Sequence, residues 1–258
     1  MFVFKVTVGL LALLLVGSVR AKEEVRETDA KTHAHTKFSQ YSGNERRLIF
    51  TNMLLCCMWP KSSDGKVHVP YVIANHFCTP RGLVSFSSVA CIHFRRRSNE
   101  RDYISIESCN GCYSFVGRRG YAQTVSLDRN GCIYHHTVQH ELLHALGFNH
   151  EQTRSDRDNH ILVVWENIID NMKHNFNKIA TLNQETPYDY NSVMQYHKTA
   201  FSKNGLPTMV PIPNSNVAFG QATQMSQNDI TRLNRLYKCS TYGYYRGVCK
   251  LNTACKCP

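Results

Sequence analysis

Residues 140–154, HELLHALGFNHEQTR, hold three histidines, two glutamates and a glycine at spacings that a metal ion would select. On an α-helix, His140 and His144 stand four residues apart and project from one face, one turn above the other. Two imidazoles so placed can grip one cation, and Glu141 beside them is suited to polarise a metal-bound water. A catalytic zinc takes three protein ligands and keeps a further position open. Gly147 supplies the third. A residue that tolerates positive φ ends the helix and turns the chain, so that His150 approaches the same metal from below. The whole HExxHxxGxxH pattern is too specific to be a helix with incidental surface histidines. The spacing therefore assigns His140, His144 and His150 to one Zn2+ per chain. His135, His136, His160 and His174 have no partners at ligand spacing and read as surface or loop residues.

A zinc so held acts as a Lewis acid and lowers the pKa of its water from about 15.7 toward 7. Glu141 would take that proton, direct the oxygen at a carbonyl carbon and pass the proton to the leaving amine. This is peptide-bond hydrolysis without a covalent intermediate. Serine and cysteine nucleophile schemes have no comparable support in the chain.

The elements that must position these residues follow from periodicity. Residues 67–73 (VHVPYVI), 91–94, 103–106, 113–116 and 123–127 read as strands, separated by glycine-bearing turns such as Arg119-Gly120 and Asn130-Gly131. After Cys132 the period changes: Val138, Leu142, Leu143 and Leu146 repeat at helical spacing up to the Gly147 stop. Further helices are expected over residues 164–177 and 226–237, the latter capped by Ser226 and Asp229. Strands first and helices later indicate an α+β fold.

The bulk numbers set the frame. A chain of 258 residues with 42% hydrophobic and 19% charged residues suits one large domain or two small ones. The net charge of +11 favours anionic partners without choosing among them. No Lys/Arg run interleaves with aromatics, so nucleic acid is not expected as a partner, and Arg95, Arg96 and Arg97 read as a solvated turn. Residues 1–21 combine Lys5, an apolar run over 6–16 and Val19-Arg20-Ala21, the pattern of a signal peptide cut after Ala21. The run is too short for a comfortable membrane anchor, and no later stretch is apolar enough for insertion, so the mature protein is expected to be secreted. Residues 22–47 are polar, carry His33 and His35, and end in Arg46-Arg47; they read as a propeptide with a dibasic processing site. Residues 48–239 form the body and 240–258 a short cysteine-containing tail. Secretion makes the eleven cysteines disulfide candidates, with at least one left over, and none sits in a paired CxxC zinc arrangement.

HELLHALGFNHEQTRSDRD resembles the extended zinc signature of the astacin family of metzincin metalloendopeptidases, and SVMQY at 192–196 resembles that family's Met-turn. The likeness extends through VPY at 69–71, SNERDYISIES at 98–108, GCYSFVGR at 111–118 and NGCIYHHTVQHE at 130–141, with a texture nearest to fish hatching enzymes, the six-cysteine choriolysins. The resemblance implies a two-lobed zincin domain. A mixed twisted sheet and the active-site helix would form the N-terminal lobe, and a mostly irregular C-terminal lobe would carry a long helix. It implies Met194 as an apolar floor beneath the metal and Tyr196 as a displaceable ligand whose hydroxyl stabilises the oxyanion. It implies a buried Glu151 paired with the N-terminus freed by propeptide removal, and the disulfides Cys91–Cys239 and Cys112–Cys132.

The chain departs from the pattern at several places. Gln195 stands where the Met-turn usually has histidine and His197 where it has glycine, which should alter cleft shape rather than metal binding. The aspartate that the family's propeptide presents to zinc is replaced by Asn44 in YSGN, with Glu45 beside it. The segment between Tyr71 and Cys91 is shorter than the family norm and holds Cys78, Pro80 and Gly82 where a long helix would stand. Cys56 and Cys57 are adjacent rather than spaced. The reading is a secreted zinc endopeptidase, expected as a monomer, acting on proteins or peptides such as egg-envelope glycoproteins, with Lys198 favouring acidic residues beyond the scissile bond. The competing reading is an inactive binding or structural protein on the same scaffold, and the intact ligand set speaks against it.

Overall fold

The computed structural model describes residues 57–74 and 81–239. The expected signal peptide and propeptide, with Asn44 and Arg46-Arg47, as well as Cys56, Cys78 and the residues with Cys249, Cys255 and Cys257 lie outside the described residues. No helix among those described is long and apolar enough to cross a membrane.

Five strands form one mixed sheet: β1 (Val67–Ile73), β2 (Ile92–Arg96), β3 (Tyr103–Glu107), β4 (Cys112–Ser114) and β5 (Ala122–Leu127). Their order is β2-β1-β3-β5-β4. All pairs are parallel except β4, which runs antiparallel to β5 at the edge. Parallel neighbours need a crossover, and helix α1 (Arg81–Val89) supplies it between β1 and β2. Val67, Val69, Ile92, Ile104, Ile106, Val125 and Leu127 are buried on this sheet and pack with Leu83 and Phe86 of α1. Helix α2 (His135–Ala145) completes the layer with Val138, Leu142, Leu143 and Ala145.

The shortened upper segment therefore still forms a helix, of nine residues. Gly82 explains how it packs. A Cβ there would stand 2.4 Å from Cγ1 of Val138, so only glycine lets α1 approach α2 this closely. Arg95 and Arg96 correct the sequence reading: they end strand β2 rather than forming a turn, and Arg95 is ion-paired with Glu100.

The second half is largely irregular. A two-stranded antiparallel ribbon pairs β6 (Ile161–Val163) with β7 (Met209–Pro211), and helix α3 (Gln227–Leu236) closes it. Ser226 and Asp229 form the expected capping box. Ile161, Val163, Ile168, Phe176, Tyr188, Met209 and Phe219 make a second apolar cluster. The α-helix expected over 164–177 is absent; two 3-10 segments, Trp165–Asn167 and Asp170–Phe176, stand in its place. The reason is local. Ile168 and Ile169 are extended, with Ile168 bridged to Ser202 and the Ile169 N–H bonded to the Phe201 carbonyl. Beyond them Asn175 turns its side chain onto the Met172 carbonyl, a competition with helix that asparagine favours.

Both expected disulfides are present. Cys91–Cys239 joins residues 148 apart and ties the end of α3 beside β2. Cys112–Cys132 holds edge strand β4 to the approach of α2. Tyr237 adds a hydrogen bond from its hydroxyl to the Leu146 carbonyl, so α3 also leans on the end of α2.

Candidate active site

Helix α2 is buried over most of its circumference. Val138, Leu142, Leu143 and Ala145 face the core while Glu141 and His144 are buried on the remaining side. Its C-terminal end is fixed by two hydrogen bonds, from Phe148 N–H to the Leu143 carbonyl and from Gly147 N–H to the His144 carbonyl. That is the Schellman arrangement, and Gly147 takes the required positive φ of 102°. The turn carries His150 back toward the helix.

The Nε2 atoms of His140, His144 and His150 lie 3.1 Å from one another in all three pairings. Among the described residues this is the one group of three or more potential ligands gathered this closely. The other ring nitrogens set the tautomer. Nδ1 of His140 meets the Val193 carbonyl at 2.8 Å, and Nδ1 of His144 meets the Phe148 carbonyl at 2.7 Å. A carbonyl only accepts, so both Nδ1 atoms donate and both Nε2 lone pairs point at the common centre. Burial holds all three imidazoles neutral. It lowers His140, brings His144 down to about 3 and lowers His150 well below the usual value, with neighbouring imidazoles adding to the effect on the last two. Converging lone pairs at this separation need a cation between them. The three separations are compatible with one zinc that would sit about 2.0–2.1 Å from each nitrogen. The donor set fits zinc.

Glu141 stands beside this centre. Its Oε2 is buried and receives no hydrogen bond among the described residues. Desolvation raises its carboxyl to about 7, a value at which it can take and return a proton near neutral pH. The Tyr196 ring lies 4.2 Å from that of His150, packed between it and Phe176 and Phe201. Burial, and then the charge of Glu141, pushes its phenol up to about 12, so it remains a proton donor. Met194 is buried within the first apolar cluster.

The segment over 192–196 is held on both sides. Asp229 Oδ1 accepts from the Ser192 hydroxyl at 2.6 Å and its Oδ2 accepts from Val193 N–H at 2.9 Å. The Glu151 N–H donates to the Met194 carbonyl at 3.0 Å, and Tyr196 N–H donates to Gln152 Oε1 at 3.3 Å. Gln152 Nε2 is buried with no partner among the described residues. Gln195, at the histidine position of the pattern, is buried; its Oε1 accepts the Tyr188 hydroxyl at 2.5 Å and its Nε2 donates to the Tyr196 carbonyl at 3.1 Å. His197 and Lys198 are exposed.

Glu151 is buried as expected, and its described partners are internal. Arg232 donates to Oε2 at 2.6 Å and to Oε1 at 3.0 Å, and Asp189 N–H donates to Oε1 at 2.7 Å. Sequence reasoning named Asp229 only as a helix cap and missed Arg232 and Gln152. The cap spacing was a usable signal for Asp229. An arginine on a polar helix gave none.

The family model Astacin (Peptidase family M12A) matches residues 58–238. Low choriolytic enzyme of Oryzias latipes is 44% identical over 239 residues, covering 85% of this chain and 88% of that protein. High choriolytic enzyme 1 of the same fish is 50% identical over 190 residues, 71% of this chain and 70% of that one. The solved structure of high choriolytic enzyme 1, a hatching enzyme zinc-protease from medaka, superposes with a TM-score of 0.70 at 49% identity, covering 72% of this chain and 96% of that structure.

Proposed function

Since the chain belongs to the astacin family of zinc metalloendopeptidases, we propose that it is a secreted endopeptidase whose metal is held by His140, His144 and His150, with Glu141 as general base and Tyr196 as oxyanion donor. The observation that carries the reading is the convergence of three Nε2 atoms at 3.1 Å beside the unpartnered Oε2 of Glu141. When bound, zinc supplies Lewis acidity to the attacked carbonyl and makes water a competent nucleophile near neutral pH. Glu141 accepts the proton from that water on Oε2 and returns it to the departing amine nitrogen. The phenol of Tyr196 donates to the oxygen on which negative charge develops, a role that requires it to stay protonated. Val193 and Phe148 keep the His140 and His144 rings oriented through their carbonyls.

The names of the similar proteins, choriolytic and hatching enzymes, point to egg-envelope proteins as the substrate class. Residues 1–21 would direct export, and removal of residues 22–47 would precede activity. The tail over 240–258 belongs to the same secreted product. The test is digestion of isolated egg envelopes and of casein by the processed protein, with and without a chelator. Soluble envelope fragments that vanish with chelation and with Glu141→Ala are expected. Zinc-dependent casein digestion with intact envelopes would leave the peptidase and remove the hatching substrate. Undiminished proteolysis by Glu141→Ala would remove the assigned base.

A further inference from the structure

Tyr196 must keep its backbone in place while its ring is free to turn, and two buried glutamines meet that need. Gln152 is wholly buried, and its Oε1 accepts the Tyr196 N–H at 3.3 Å. Gln195 is buried too, and its Nε2 donates to the Tyr196 carbonyl at 3.1 Å. One side-chain amide thus meets each of the two peptide groups that flank the Tyr196 α-carbon. Gly220 closes the same spot from another side: a Cβ there would stand 2.5 Å from the Tyr196 carbonyl oxygen and 2.5 Å from Cα of His197.

Neither amide can turn over without losing its bond. A backbone N–H only donates, so Gln152 must present its oxygen to Tyr196, which leaves its Nε2 buried without a partner among the described residues. An apolar side chain of the same length would fill this space without stranding a donor; what the glutamine adds is the bond to Tyr196. A carbonyl only accepts, so Gln195 must present its nitrogen, and its oxygen then accepts the Tyr188 hydroxyl. Tyr188 is buried in the second apolar cluster and stacks on His160 at 4.9 Å, so this amide is anchored at its far end. Neither amide titrates, so the hold does not change with pH.

We infer that Gln152 and Gln195 are positioning residues for Tyr196: they fix its backbone from both sides, so that the phenol reaches the reacting oxygen by side-chain rotation alone. The inference rests on the reading of Tyr196 as the oxyanion donor. The ring supplies no such restraint. Its contacts with His150, Phe176 and Phe201 run from 4.2 to 6.0 Å between centroids and include no directional bond. The restraint matters because a displacement of about 1 Å at a reacting group costs on the order of a hundredfold in rate.

The experiment uses the full chain, assayed as the processed protein, with Gln152→Met and Gln195→Met, which keep length and burial. Gln195→Met is made on a Tyr188→Phe parent, so that no buried hydroxyl is stranded. Each is also combined with Tyr196→Phe. Zinc content, KM and kcat are measured, and the amide exchange and carbonyl chemical shift of Tyr196 are read by NMR. Against its parent, each methionine variant should bind a full complement of zinc, keep KM within about threefold and lose about tenfold in kcat. With Tyr196→Phe in place the same substitutions should change kcat by less than about twofold, because the donor they position is gone. Exchange at the Tyr196 amide should quicken in Gln152→Met, and the Tyr196 carbonyl shift should move in Gln195→Met. The parent's kcat in either methionine variant would overturn the inference. So would equal losses with and without the phenol, the mark of a general packing defect. A Tyr196→Phe protein with wild-type kcat would instead overturn the donor reading, while exchange and carbonyl shift would still decide whether the glutamines hold this backbone.

Discussion

Oδ2 of Asp229 accepts the backbone N–H of Val193 at 2.9 Å, and the Val193 carbonyl meets Nδ1 of His140, which makes a helix-capping residue one step removed from the histidine cluster. The same carboxylate takes the Ser192 hydroxyl through Oδ1 and the Ser226 N–H through Oδ2, all in a buried setting. Replacing it with alanine strands buried donors and removes half of the capping box. Asp229→Ala should lose about 2–4 kcal/mol of stability, from the unsatisfied groups and the cap together. Denaturant unfolding measures this, and zinc affinity should fall with it because Val193 no longer fixes His140. An unchanged midpoint would show that the Met-turn holds itself.

Tyr196 gives a separable prediction. Phenylalanine keeps the packing against His150, Phe176 and Phe201 but removes the donor. Tyr196→Phe should keep a full complement of zinc and a KM within about threefold of wild type, while kcat falls by about a hundredfold, the scale of one oxyanion donor. Steady-state kinetics with a peptide substrate makes the distinction. A loss confined to KM would reassign the tyrosine to substrate binding.

The metal-free protein should be acid-sensitive in a window set by the histidines. Burial holds His140, His144 and His150 below the ordinary imidazole value, His144 at about 3. In the unfolded chain the same rings titrate near 6.5, so below that pH the unfolded state binds more protons and stability falls as acid is added. Glu141, raised by burial to about 7, and Glu151, also raised by burial, work in the opposite direction, but as two groups against three. Calorimetry of the chelator-treated protein should show the melting temperature dropping between about pH 6.5 and 4.5. A flat or rising profile would mean that the imidazoles are not buried neutral.

The sequence made the site legible where chemistry and local geometry coincide. The spacing of His140, His144, Gly147 and His150 encodes a helix, its stop and a return in one stretch. Less was readable where tertiary contacts decide. The 164–177 stretch has helix-length apolar spacing, yet Ile168 and Ile169 are drawn out by Phe201 and Ser202, far along the chain. Arg232 sits on a helix where an arginine is ordinarily solvated, and only the fold brings it to Glu151 across 81 residues. Gly82 is similar: nothing nearby in the chain says that Val138 will need its missing Cβ.

The most direct test of the account is X-ray absorption at the zinc edge on protein purified without added metal, together with its metal content. The account expects one zinc per chain with three imidazole nitrogens at about 2.0–2.1 Å, and a signal that disappears in His144→Asn. Less than stoichiometric zinc, or a first coordination sphere dominated by sulfur, would contradict the claim that these three histidines clasp the metal.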